Sequence, residues 1–85
     1  MRIDLLLKSL CLVRSRSEGR RACLTGAVRI GGAVVKPSRE AVKGDVIDIR
    51  YPRRELVIEL LDVPGRQVPR KECPSWYRVI RERDL

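Results

Sequence analysis

The chain has 85 residues, 44% of them hydrophobic, a formal net charge of +8 and no histidine. That length bounds it to one small domain, which buries only about 60% of its unfolded surface, and without Phe its core must be mostly aliphatic. There is no apolar run of about 18 residues for a membrane span, no His for acid–base work, and Cys11, Cys23 and Cys73 fit no zinc-binding spacing.

Ile3, Leu6, Leu7 and Leu10 recur at i, i+3, i+4 and i+7 and predict an amphipathic helix, widened by Leu5 and Leu12. Asp4, Lys8 and Ser9 interrupt the apolar run, and no small-residue cleavage site follows, so the segment reads as a core helix rather than a signal peptide. Lys8 lies off the stripe. Asp4 suits the first turn and a local ion pair with Arg2.

A second helix starts at Ser15-x-x-Glu18, a capping box in which the Ser15 hydroxyl takes the Glu18 N–H and the Glu18 carboxylate reaches back to the Ser15 N–H. Gly26 suits the left-handed position that ends it near Thr25. Gly19, Ala22, Cys23 and Gly26 form a face of small residues for close approach to the first helix. Gly19 costs helix propensity by roughly 1 kcal/mol, which implies either a looser helix or an unusually close contact. Cys11 and Cys23 read as small buried residues on the two helices, with a disulfide between them the minor alternative.

The period then changes to two. Val28 and Ile30 alternate around Arg29, Gly31-Gly32 forms a primed turn, and Val34-Val35 returns. Pro37-Ser38 ends that strand, and Lys43-Gly44-Asp45 makes another turn. Segments 46–51 and 55–63 should pair as an antiparallel hairpin. Residues 64–74 carry three prolines and read as an irregular loop. Segment 75–80 suits a last helical turn or a short strand, and residues 81–85 a frayed end. Trp76 and Tyr77 read as late core packing in preference to a base-stacking pair.

Charge is concentrated. Residues 14–43 carry a net +6 of the chain's +8. Arg14, Arg16, Arg20 and Arg21 crowd the start of the second helix, where the helix dipole and free N–H groups also favour anions. That combination suits phosphate groups. The proposed surface is Arg14, Ser15, Arg16, Ser17, Arg20 and Arg21, with Lys8, Arg29 and Lys36 at its edge; Arg66, Arg70 and Lys71 form a possible second contact. With no aromatic residue in this stretch, single-strand stacking is disfavoured. The carboxylates form no evident convergent pair, which argues against an enzyme.

Several segments together resemble the S-four RNA-binding domain: Arg2-Ile3-Asp4, Ser15-Arg16-Ser17, Gly26-x-Val28-x-Ile30-Gly31-Gly32, Val35-Lys36-Pro37-Ser38 and Val42-Lys43-Gly44-Asp45-Val46-Ile47. The length and the Val-Lys-Pro-Ser segment look most like the free-standing branch formed by the fifteen-kilodalton heat-shock protein family. The resemblance implies an α+β fold, two packed N-terminal helices followed by a small antiparallel sheet of about four strands. It also implies a domain over residues 1–63 with its core motif at 2–50, and a basic, Pro-rich extension over 64–85 packed on or near the sheet. The implied function is non-catalytic binding of structured RNA by a monomeric, cytoplasmic bacterial protein with no cofactor, no metal and no membrane partner. Its implied target is large-subunit ribosomal RNA, or tRNA on the ribosome, in rescue of stalled subunits. The alternatives are a tRNA, small-RNA or ribosome-assembly factor, or a basic adaptor that docks an acidic protein; duplex DNA binding through the same patch is the least favoured reading. Arg16 and Arg20 are expected to bind RNA without supporting the fold.

Overall fold

The computed structural model describes residues 1–85. It contains α1 (Ile3–Ser9), α2 (Arg16–Leu24), β1 (Val28–Ile30), β2 (Ala33–Val34), β3 (Val46–Arg50), β4 (Arg54–Leu60), a 3-10 helix (Arg70–Trp76) and β5 (Tyr77–Asp84). The strands form one antiparallel sheet in the order β2-β1-β3-β4-β5. No helix is long and apolar enough to cross a membrane.

The two helices and one face of the sheet enclose a single core. Ile3, Leu6 and Leu7 of α1 are fully buried against Val28, Ile47 and Ile58, which point inward at alternate strand positions. Each such side chain contributes roughly 1.5–3 kcal/mol in transfer terms. The first amides of α1 lie beyond the reach of intrahelical bonding. Two of them are satisfied by the chain after β2: Ile3 N–H donates to the Arg39 carbonyl at 2.8 Å and Asp4 N–H to the Pro37 carbonyl at 3.2 Å.

The start of α2 follows the predicted box with one change. Ser15 Oγ accepts from the Glu18 N–H at 3.1 Å, but the Glu18 carboxylate takes the N–H of Arg14, not that of Ser15, at 3.2 Å. The helix closes with a Schellman motif, in which Ala27 N–H donates to Ala22 O and Gly26 N–H to Cys23 O, with Gly26 at φ +78°. Of the two readings of Gly19, close contact is the one realised: a Cβ there would stand 2.7 Å from the Asp4 carbonyl oxygen. Gly31 and Gly32 at φ +60° and +83° make the primed turn between β1 and β2.

Three expectations are corrected. Segment 81–85 is not frayed: β5 runs to Asp84 as a fifth strand paired with β4 from Arg54↔Asp84 to Leu60↔Tyr77. Its alternating charges look solvated in sequence, yet Arg83 and Arg81 reach Glu55 at 2.7 and 3.3 Å and Arg78 reaches Glu59 at 2.8 Å. The loop over 64–74 is irregular only until Pro69, the N-cap of the 3-10 helix. Cys11 is exposed, with φ +61°, just past α1, and its sulfur lies 3.2 Å from that of buried Cys73. Cys23 is buried as expected, so the close thiol pair is Cys11–Cys73 rather than Cys11–Cys23. Burial, then the Cys11 side chain, pushes the Cys73 thiol up to about 11. Trp76 and Tyr77 pack against the core.

On the sheet face away from the helices, Glu55 is only 1% exposed beneath Arg50, Arg81 and Arg83. Burial would raise its pKa, but a hydrogen bond with Asp48 and the neighbouring guanidiniums hold it below the usual range. Burial and the Glu55 carboxylate push Asp48 up instead. Its Oδ1 is buried without a hydrogen-bond partner. A raised carboxyl pKa means that the folded state binds the proton more tightly than the unfolded chain. The contribution of Asp48 is therefore present below the ordinary carboxyl pKa and lost as pH rises through the folded value.

Two thermal-melting predictions follow from this packing. Gly19→Ala gains helix propensity but drives a methyl into backbone, and it should destabilise by about 1–2 kcal/mol net, lowering Tm by roughly 4–15 °C. Asp48→Asn should raise Tm by a few degrees at pH 7, and the gap to the parent protein should close below pH 4; a gap that widens in acid would contradict the assigned Asp48 shift.

Candidate nucleic-acid interface

The basic residues divide into two populations. Over β3–β5 and the connection between β4 and β5, guanidiniums are engaged by carboxylates: Arg50, Arg81 and Arg83 share Glu55, Arg54 meets Glu82, Arg78 meets Glu59 and Arg66 meets Glu72. Arg39 forms a bidentate pair with Asp45, beside the Val42 N–H. Burial alone would raise the Asp45 pKa, but these donors bring it below the usual range. The side-chain cations of Lys8, Arg14, Arg20, Arg21, Arg29, Lys36, Arg70 and Lys71 form no ion pair within 4.0 Å. Most of the cations singled out in the sequence are thus those whose charge is uncompensated in the fold.

α2 positions the centre of this surface. Ser15 caps the helix, and the N–H groups of Arg16 and Ser17 have no protein acceptor. Arg14, Arg16, Ser17, Arg20 and Arg21 are all exposed. Arg16 departs from the expectation of a purely external role. Its Nε lies 3.7 Å from Asp4, a carboxylate 1% exposed that also takes Arg2 at 3.1 Å and the Leu5 N–H at 2.8 Å. Arg16 therefore helps compensate a buried charge between the helices.

The remaining predicted residues are not all brought to this face. Arg29 sits between inward-pointing Val28 and Ile30, so it projects from the sheet face opposite the helices. Lys36 is exposed beyond β2. Arg66 is spent on Glu72 at 3.7 Å. Lys8 donates only to the neutral Gln67 side chain, at 2.9 Å. Arg70 is drawn toward the first patch, because it shares a cleft with Lys8 and Arg14.

That cleft, about 720 Å³, opens between the end of α1, the start of α2, the β3–β4 turn and residues 67–70. Tyr51, Pro52 and Arg54 form one side. The Arg54 guanidinium lies 4.5 Å from the centre of the Tyr51 ring, and the Tyr51 hydroxyl donates to the Leu12 carbonyl at 2.6 Å. Sequence reasoning missed Tyr51, Arg54 and Gln67. No local motif marks them, and they meet Arg14 only through the tertiary fold. No group of three or more Cys, Asp and Glu side chains is arranged to hold a metal ion.

The chain is similar to known proteins over most of its length. Residues 1–47 match the S4 domain family. A protein of Helicobacter pylori named RQC P-site tRNA stabilizing factor is 40% identical over 73 residues, spanning 85% of this chain and 87% of that one. A protein of the same name from Halalkalibacterium halodurans is 27% identical over 85 residues, spanning 100% and 96%. Among solved structures, the trimeric heat shock protein 15 of Vibrio cholerae superposes with a TM-score of 0.88 at 25% identity, over 93% of this chain and 80% of that one. The solution structure of HP1423 gives 0.81 at 33% identity, over 95% and 98%. With the family match, these relatives and the helix-and-sheet architecture in agreement, this chain belongs to the S4 domain family.

Proposed function

We propose that this protein is a non-catalytic RNA-binding factor that lays α2 and the adjoining basic cleft against structured RNA of the ribosome during rescue of stalled translation. The observation that carries this reading is the difference in pairing: Arg14, Arg20 and Arg21 stand exposed without ion-pair partners, while Arg50, Arg54, Arg78, Arg81 and Arg83 of β3–β5 are engaged with carboxylates within the fold. Such an array gains more from phosphate oxygens than already paired arginines do. The name of the similar H. pylori and H. halodurans proteins supports a site beside P-site tRNA. In this reading the partner is large-subunit ribosomal RNA or the tRNA itself, bound by a monomer in the cytoplasm without a cofactor. Shape and backbone contacts would dominate, because A-form RNA hides its base edges in a deep, narrow groove.

The test is cosedimentation of the protein with large subunits carrying peptidyl-tRNA, with empty subunits and with free tRNA, across a salt series. Arg20→Ala/Arg21→Ala should weaken binding at least tenfold and reduce the logarithmic salt slope by about 2 without shifting Tm. Binding that is unaffected by this variant and survives nuclease digestion would instead identify a protein-docking adaptor. Arg16→Ala should differ from Arg20→Ala in stability as well. Loss of the partly exposed contact to Asp4 should destabilise by about 0.5–1 kcal/mol, lowering Tm by a few degrees, whereas Arg20→Ala should leave Tm unchanged.

A further inference from the structure

We propose that the cleft between α1, α2 and the β3–β4 turn receives one unstacked nucleotide of the bound RNA. The base would lie against the Tyr51–Arg54 wall, and the phosphate would face Lys8, Arg14 and Arg70. This proposal rests on the RNA-binding reading and gives that surface a specific subsite.

Four features support it. The first is size: about 720 Å³ falls within the range of roughly 300–1,000 Å³ typical of small-ligand sites. A stacked duplex does not fit a cleft cut into a domain measuring only 28 × 24 × 22 Å, whereas a single extruded nucleotide does. The second is charge. Lys8, Arg14 and Arg70 come from separate stretches of chain, lack carboxylate partners and converge on one opening. The one acid there, Glu18, is engaged with the Arg14 N–H.

The third feature is the wall. Arg54 over Tyr51 at 4.5 Å, next to Pro52, is a set of flat groups at which a base can stack. An acidic peptide would use the cations but has no need of that wall. The fourth is rigidity: the Tyr51 hydroxyl is tied to the Leu12 carbonyl at 2.6 Å, so the platform exists before any ligand arrives. The fold thus supplies an aromatic group beside a patch whose own sequence contains none.

The experiment compares two RNA hairpins that differ only by one bulged 2-aminopurine nucleotide, titrated with the full chain. The expected result is at least fivefold tighter binding of the bulged RNA, with a change in 2-aminopurine emission on binding. Both preferences should fall to within twofold in Arg54→Ala and in Arg14→Ala/Arg70→Ala, each checked by thermal melting to be folded. Equal affinity for the two hairpins in the parent protein would overturn the subsite and leave the RNA-binding reading standing. Failure to bind either hairpin, or any ribosomal RNA fraction, would overturn both. Polyglutamate binding that is lost in Arg14→Ala/Arg70→Ala, without any bulge preference, would reassign the cleft to an acidic protein segment.

Discussion

Gly19 seats α2 directly on the backbone of α1, at the Asp4 carbonyl, and much else depends on that contact. At this distance the Asp4 side chain is enclosed and needs cations. Arg2 reaches it from the start of α1, and Arg16 from the first turn of α2. A buried carboxylate stripped of its partners is costly, so the pairing helps fix the register of the two helices. The same docking leaves Ser17, Arg20 and Arg21 facing outward. A single glycine therefore links helix packing to the placement of the candidate interface.

The distribution of ion pairs divides the basic residues into paired and unpaired groups. In β3, β4 and β5, acids and bases are set directly across from one another, as in Arg50↔Glu55↔Arg83. Opposite charges in that register support strand pairing modestly. They also engage the arginines of β3–β5 with carboxylates, while Arg14, Arg20 and Arg21 at α2 and Lys8 and Arg70 at the cleft form no ion pair. A large net charge repels itself within a compact domain, and the unpaired cations at α2 and the cleft suit a polyanion.

Much of the fold was legible because its signals are local. The leucine stripe of α1, the Ser15 cap, Gly26 and the Gly31-Gly32 turn each act within a few residues and appear where expected, with only the return bond of Glu18 moved from Ser15 to Arg14. The hairpin of β3 and β4 was likewise readable from alternation and its bounding turn. The C-terminal strand was not. Its residues are largely exposed, so no apolar period marks it, and it is held by backbone pairing and by carboxylates on β4. The exposed position of Cys11 was also hidden, since it depends on where α1 stops and on the approach of residue 73 from the far end of the chain.

By itself the sequence determined the two helices, the β1–β2 and β3–β4 hairpins, the α2 arginines and the concentration of positive charge in residues 14–43, because propensity, capping, turn chemistry and charge count are carried by neighbouring residues. The tertiary structure alone decided which of those charges remain free. It tied Arg16 to Asp4, turned Arg29 to the opposite sheet face, spent Arg66 on Glu72 and brought Arg70 and Tyr51 to Arg14. The reason is that ion pairing and cleft formation depend on distances between residues far apart in the chain, and those distances are set only when the apolar faces of helices and sheet pack against each other.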